Sequence, residues 1–318
     1  MDIFSLHTEA RCALLWIICT VQLCTTASAE IFQLPSAGTD IVGKIRSVDA
    51  RYEDTLLDIA RRYDLGYNEI IAANSGVDPW LPGEDTPLLL PTQFILPEGP
   101  REGIVLNVAA MRLFYFPKPR KDETAIVITF PVGIGRQNWQ TPLGVTRITG
   151  KVIDPVWYVP KSIRDEKEQM GEVLPTTIPP GPDNPLGKFA LPLALPGYLI
   201  HGTNKPWGVG RRVSHGCVRL YPEDIEKLFN EVPVGTPVRI IHQPYLAGWH
   251  NGMLYLQAYS PLEEERARWE GTTEPLISVI AKKLQNTAAA VDWGKAAQVA
   301  LEHQGLPVPI LATEAEAR

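Results

Sequence analysis

Apolar positions along the chain follow two periods. In "DTLLDIARRY" (54–63), Leu56, Ile59, Ala60 and Tyr63 recur at helical spacing and form one face. Asp54 is placed to N-cap this helix. Asn68 is placed to cap a second, running through Ile70, Ile71 and Ala73. The flanks "RSVDARY" (46–52) and "PLLLPTQFILP" (87–97) read as strands. Residues 45–97 therefore form a small strand–helix–helix–strand module. From Arg101 the period shortens to that of strands. "GIVLNVAAMRLFYF", "ETAIVITFPVGIG", "GVTRITGKV" and "GTPVRIIHQ" are rich in β-formers and punctuated by Gly and Pro. They predict a compact, mostly β domain over 101–243. Its stretch 175–203 is too proline-rich for a regular element until "GYLIHG". "PEDIEKLF" reads as a helix with Pro222 in its first turn. Residues 244–318 form an extension. "PYLAGWHNGMLYLQAYSPLEEE" reads as strand, turn, strand. "EPLISVIAKKLQ" and "DWGKAAQVALEHQG" read as amphipathic helices, the second capped by Asp292 and ended by Gly305. The tail "LATEAEAR" is expected to fray. The extension is expected to pack on the β domain and to shape one side of its site.

The N-terminus alters the reading of the cysteines. Cys12, Cys19 and Cys24 lie in "CALLWIICTVQLC", an apolar run of 13 residues after Arg11. A membrane span needs about 20. "ASA" (27–29) follows, with small residues where a signal peptidase cuts before Glu30. Residues 1–29 are expected to be a cleaved signal peptide. A lipidated Cys24 and an uncleaved anchor are the alternatives, and bulky Leu23 opposes the first. Cleavage leaves Cys217 as the single thiol, so the exported chain forms no internal disulfide. Net charge is −6 with no basic block, which argues against nucleic acid.

Cys217 sits in "HGTNKPWGVGRRVSHGCVRL" (201–220) with two histidines. A thiol attacks as thiolate, and a free one of pKa about 8.5 needs a base near neutral pH. His215 is two residues away. His201 is 16 away across a Gly-rich connection long enough to fold back. Gly216 beside the thiol clears space for a carbonyl and frees backbone N–H groups for an oxyanion. Other readings exist for the same residues. A lone Cys also serves as a small buried hydrophobe. His201, His215 and Cys217 also suggest zinc, without a paired-Cys or His-x-x-x-His spacing. Ser214 lacks the surroundings of a serine nucleophile.

Taken together, His201-Gly202 followed by Ser214-His215-Gly216-Cys217-Val218-Arg219 is similar to the signature of the L,D-transpeptidases, cysteine-dependent enzymes of peptidoglycan. The likeness extends through "TPLGVTRI", "PPGPDNPLG", "YLIHGTN" and "GTPVRII", roughly 101–243. It implies a β-sandwich of mixed sheets and no metal or organic cofactor. It implies that Cys217 attacks a tetrapeptide stem, releases D-Ala and forms a thioester, which an amine then resolves. His201 matches the family's base, with the Gly202 carbonyl fixing its tautomer. Gly216 and Cys217 N–H groups are the expected oxyanion donors, supported by His215. Arg219, Ser214 and Asn204 are expected to contact substrate. Arg219 has a structural alternative, an ion pair with Glu223 or Asp224. Lys205 and Arg211 are expected either to place an acidic stem peptide or to form a solvated face. The acceptor is a Lys of an outer-membrane lipoprotein or a diaminopimelate amine, with the lipoprotein favoured. Hydrolysis by the same thioester, as carboxypeptidase or amidase, and a non-enzymatic peptidoglycan-binding scaffold are the competing functions.

Residues 45–97 resemble the lysin motif (LysM), a peptidoglycan-binding module, through "DTLLDIARRY", "AAN" and "LLLP". Glu53 stands where that family commonly has Gly, in a loop that contacts sugar. The implied location is the periplasm. The two modules are expected to act separately, so that removing residues 30–97 leaves the bond chemistry behind.

Overall fold

The computed structural model describes residues 30–35, 38–269, 271–285 and 287–312. The expected signal peptide, with Cys12, Cys19 and Cys24, lies outside the described residues, as does most of the expected frayed tail. No helix among the described residues is long and apolar enough to cross a membrane.

The chain opens with β1 (Glu30–Gln33) and β2 (Ile41–Gly43). Then come β3 (Arg46–Asp49), α1 (Leu56–Arg62), α2 (Tyr67–Ala73) and β4 (Pro87–Leu90), in the order read from the sequence. β3 and β4 pair antiparallel, and Leu56, Ile59, Leu65, Ile70, Leu88 and Leu90 close a small core over them. The caps differ from expectation. Thr55, not Asp54, N-caps α1, in a capping box with Asp58. Asp54 instead pairs with Arg62. Asn68 lies inside α2. Gly66 is its N-cap, and the Gly66 N–H donates to Glu69 Oε2 at 2.6 Å.

Next come β5 (Gln93–Ile95), β6 (Gly103–Asn107), β7 (Arg112–Phe116), β8 (Ile126–Pro131), β9 (Ile134–Gly135) and β10 (Gly144–Arg147). β11 (Val152–Ile153), β12 (Trp157–Tyr158), α3 (Lys161–Gln169), β13 (Thr177–Ile178), β14 (Phe189–Pro192) and β15 (Leu199–His201) follow. β16 (Arg212–Ser214), β17 (Val218–Arg219), α4 (Pro222–Glu231) and β18 (Pro237–Ile241) complete the domain. One sheet runs β1-β8-β7-β6-β18-β10, with β6 and β18 parallel. A second runs β11-β14-β15-β17, with β15 and β17 parallel. Residues of both sheets and of α4 share the main core, among them Leu106, Phe130, Leu191, Ile200, Val218 and Leu228. β6 and β7 are buried at every position. Their other face is covered by Phe32, Val42 and Phe94. A strand covered on both faces reads as continuously apolar. The stretch 103–116 forms a hairpin, with Met111 at φ 49° in its turn. β14 and α3 interrupt regions in which the sequence showed no regular element.

The residues ahead of the small module join the large sheet. β1 pairs with β8 as an edge of the large sheet, so residues 30–33 belong to the catalytic domain. The small unit is built into it. Arg112 of β7 is fully buried against Glu69 of α2 at 2.7 Å, and it donates to the Asp64 carbonyl. The Tyr67 and Asn68 N–H groups donate to the Val209 and Gly210 carbonyls at 3.2 Å each. These are orphan donors of the first turn of α2, satisfied from across the seam. Gly210 has φ 75°, and a Cβ there would lie 2.2 Å from Tyr67 N. Removing 30–97 would take away this edge strand and leave the buried Arg112 guanidinium without Glu69.

The extension forms β19 (Tyr245–His250), β20 (Met253–Ala258), α5 (Arg266–Trp269), α6 (Glu274–Leu284), α7 (Trp293–Glu302) and β21 (Val308–Pro309). Asn251-Gly252 turns the β19–β20 hairpin with both φ values positive. Asp292 caps α7 as expected, but His303, at φ 49°, ends it ahead of Gly305. The extension has its own core and docks beside β5, where Gln257 accepts from Ile95 N at 2.8 Å.

Candidate active site

Parallel pairing of β15 with β17 sets His201 opposite Arg219. Cys217 lies one residue before β17, so alternation puts it on the same face as Arg219. His201 and Cys217 are thus a diagonal pair on neighbouring strands, within reach of long side chains. Both line a cavity of about 730 Å³ with His215 and Arg219. That volume suits a peptide-sized ligand. Trp157, Tyr158, Pro160 and Ile163 form one wall. No described residue of the extension lines it. Glu264 of the extension pairs with Arg212 of β16 at 2.7 Å.

His201 is buried, and its Nδ1 lies 2.6 Å from the Gly202 carbonyl. A carbonyl only accepts, so Nδ1 carries the proton and Nε2 keeps its lone pair. Burial, with Arg219 second, pushes the imidazole down to about 3, against the backbone acceptors at Gly202 and Leu186. Burial pushes the Cys217 thiol up, opposed by a backbone hydrogen bond at Leu199 and by Arg219. The resting pair is therefore a thiol and a neutral imidazole.

The loop between them is held tightly. Ser214 Oγ donates to the Cys217 carbonyl at 2.6 Å and accepts from Gly216 N–H at 3.1 Å. Buried Ser214, which also lines the cavity, thus uses its hydroxyl within the loop, and the Gly216 N–H is taken up by it. The Cys217 N–H donates to no acceptor among the described residues. Gly216 has φ 103°, and a Cβ there would stand 2.7 Å from Tyr198 Cε1. Thr141 Oγ1 donates to its carbonyl at 2.9 Å.

Asn204 does not line the cavity. Its amide donates to the Pro182 carbonyl at 3.1 Å and braces the proline-rich loop. Arg219 forms no ion pair among the described residues, and its Nε is buried without a partner. Glu223, its proposed partner, pairs with Arg61 at 2.9 Å. The guanidinium is left for the cavity. Arg211 packs 4.5 Å over the Tyr67 ring and serves the seam. Lys205 is exposed outside the cavity.

Several contributors were not found from sequence. His215 Nε2 lies 3.1 Å from Glu166 Oε2 and 3.0 Å from Arg136 Nη2, and the Trp139 ring meets its edge at 5.0 Å. Glu166 sits on α3, where only the run of helix formers after Pro160, with no apolar stripe, hints at a helix. Asn184, fully buried in "PPGPDNPLG", donates to the Pro155 carbonyl at 2.8 Å and accepts from Leu186 N at 2.9 Å. It pins two cavity-lining segments together. Among the described residues no group of three or more His, Cys, Asp or Glu is set to hold a metal.

Residues 101–240, which carry this whole site, match the YkuD family, the L,D-transpeptidase catalytic domain. The chain is 40% identical over 276 residues to the probable L,D-transpeptidase YbiS of Escherichia coli, covering 86% of this chain and 88% of that protein. It is 38% identical over 288 residues to the probable L,D-transpeptidase ErfK/SrfK of Salmonella typhimurium, covering 88% and 91%. Among solved structures it is similar to L,D-transpeptidase 3 of Mycobacterium tuberculosis, 19% identical with a TM-score of 0.32 over 49% of this chain and 67% of that one. The likeness to the curated relatives takes in the flanking units as well as the cavity, and on that ground the chain belongs to the L,D-transpeptidase family.

Proposed function

We propose that the protein is a periplasmic peptidoglycan L,D-transpeptidase whose acyl carrier is Cys217. The observation that carries this reading is the placement of the thiol and a neutral, Nδ1-anchored His201 in one cavity. A tetrapeptide stem enters with the carbonyl of its third residue at Sγ. His201 Nε2 takes the thiol proton as the C–S bond forms, because neither group is ionised beforehand. The oxyanion is held by the Cys217 N–H. The proton passes to the departing D-Ala nitrogen, and a thioester remains. A primary amine, of a lipoprotein Lys or of diaminopimelate, then attacks and loses its proton to His201. Arg219, with no ionic partner among the described residues, receives a carboxylate of the stem. His215 positions the loop through Glu166 and Arg136. The 46–90 unit, with its lysin-motif order, holds glycan.

The test is mass spectrometry of the exported chain after incubation with a disaccharide tetrapeptide and each amine. The expected result is a thioester on Cys217 and an amine-linked product with loss of D-Ala. Shortened stems alone would identify a hydrolase. No adduct on Cys217 would overturn the assignment.

A further inference from the structure

A groove of about 320 Å³ runs along the seam between the 46–90 unit and the catalytic domain. Its walls come from both sides. Leu57, Ala60 and Trp80 belong to the small unit, and Trp207, Val209 and Tyr221 to the catalytic domain. Ala60, Val209 and Tyr221 are buried. The two tryptophans are 58% and 55% exposed. Large aromatic rings left open on both sides of one groove mark a contact surface. Thr55 and Asp58 supply oxygen atoms at its rim. The walls are fixed relative to each other. The α2 N–H groups bond to the Val209 and Gly210 carbonyls, and Arg61 pairs with Glu223 at 2.9 Å. The groove is preformed, so no ordering of one wall against the other opposes binding.

The groove also lies close to the chemistry. Tyr221 follows Arg219, a cavity residue, by two positions, a Cα separation of at most about 7 Å. Trp207 lies within the 201–217 connection itself. The proposed donor is a stem peptide covalently attached to a sugar polymer. Four extended residues span at most about 14 Å, so the polymer passes within that distance of Cys217. A sugar ring offers an apolar C–H face and a rim of hydroxyls. The face stacks on an indole, and the hydroxyls donate to carboxylate and hydroxyl oxygens.

We propose that this groove is a composite glycan subsite, in which Trp80 of the small unit and Trp207 of the catalytic domain both stack on the N-acetylated sugars of the strand whose stem enters the Cys217 cavity. The proposal rests on the glycan-binding reading of the 46–90 unit and extends that site across the seam. Its consequence is registration: the domain that does the chemistry also grips the sugars beside the stem.

The experiment titrates residues 30–318 with a peptide-free N-acetylglucosamine tetramer by calorimetry. Trp80→Ala, Trp207→Ala and the control Leu301→Ala, on the exposed face of α7, are compared. Both tryptophans are more than half exposed, and thermal melts confirm that the variants fold. The expected result is a Kd raised about five-fold or more by each tryptophan substitution and unaltered by Leu301→Ala. The KM of the disaccharide tetrapeptide rises in parallel. Loss with Trp80→Ala alone overturns the composite site and leaves the small unit as a glycan binder by itself. Loss with Trp207→Ala alone overturns it from the other side. No binding by the unsubstituted chain overturns the glycan-binding reading and the subsite together.

Discussion

At Cys217 and His201 burial works on both groups in the same sense, towards the neutral form. The imidazole, depressed to about 3, is a free base at every pH above that value, so acidification to pH 5 does not protonate it. Iodoacetamide alkylation of Cys217 should therefore rise through a single pKa above that of a free thiol, with no inflection near 6.5. An inflection there that vanishes in His201→Ala would contradict the neutral pair. In turnover, His201→Ala should cost about 10²- to 10⁴-fold, the worth of a general base. Cys217→Ser should retain the fold and lose acyl transfer in the same steady-state assay. At His215, Nε2 faces a carboxylate that accepts only from its protonated state and a guanidinium that only donates. Burial and Arg136 lower this imidazole, and Glu166 opposes them. Glu166→Gln should then move the His215 titration to lower pH, read from its ring proton resonances. A shift the other way would assign the opposition elsewhere.

Among the elements, the wall of the cavity depends on one buried amide. Asn184→Ala removes the bond to the Pro155 carbonyl and leaves the Leu186 N–H without its acceptor. The expected loss is about 1–3 kcal/mol of stability, with a raised KM, from urea melts and kinetics. An unaltered KM would mean the wall holds without it. This residue shows where sequence reading stops. "PPGPDNPLG" marked the region as important through resemblance, but which atoms Asn184 would meet depended on a chain reversal invisible in local pattern. The helices α1, α2, α4, α6 and α7 were legible because each carries an apolar face at its own period. Their caps were less so: Thr55 and Asp54 are both capping residues, and only the path of the chain selects Thr55. α3 was missed because one buried residue, Ile163, gives it no stripe to read. Cys217, His201 and Gly202 could be picked out because they fall within one stretch of 20 residues. The bonds of Ser214 to the Cys217 carbonyl and to the Gly216 N–H were not legible, because they depend on the fold of the loop. Gly210 looked like loop slack and is instead the point where α2 docks.

Over the whole molecule the seam concentrates buried charge. Glu69→Ala would leave Arg112 uncompensated and should cost about 3–5 kcal/mol, visible as a lowered urea midpoint, with seam and catalytic domain unfolding together. A second pair lies beside it. Asp64 of the small unit and Asp224 of α4 are both buried and interact electrostatically, and each has one buried carboxylate oxygen without a hydrogen-bond partner among the described residues. Two carboxylates in contact cannot both ionise, so they share a proton. Asp64 faces Arg112 and Glu30 as well, and Asp224 faces Glu223 and Arg112. Burial dominates, holding Asp64 up at about 7 and Asp224 well above the ordinary carboxylate range. Glu30 is raised in the same direction, also by burial. Between the unfolded value near 3.8 and about 7, the folded protein binds more protons than the unfolded chain. Stability therefore falls as pH rises through that window, and it flattens above it. Urea midpoints measured from pH 4.5 to 8 should decline, and Asp64→Asn, which has the same shape and does not titrate, should flatten the curve. A midpoint that climbs across the window, or a slope untouched by Asp64→Asn, would show that the pair does not share its proton. The same linkage makes the seam firmest at mildly acidic pH. The fixed separation of Trp80 from Trp207, and with it glycan binding, should then follow the same decline at temperatures near the melting point.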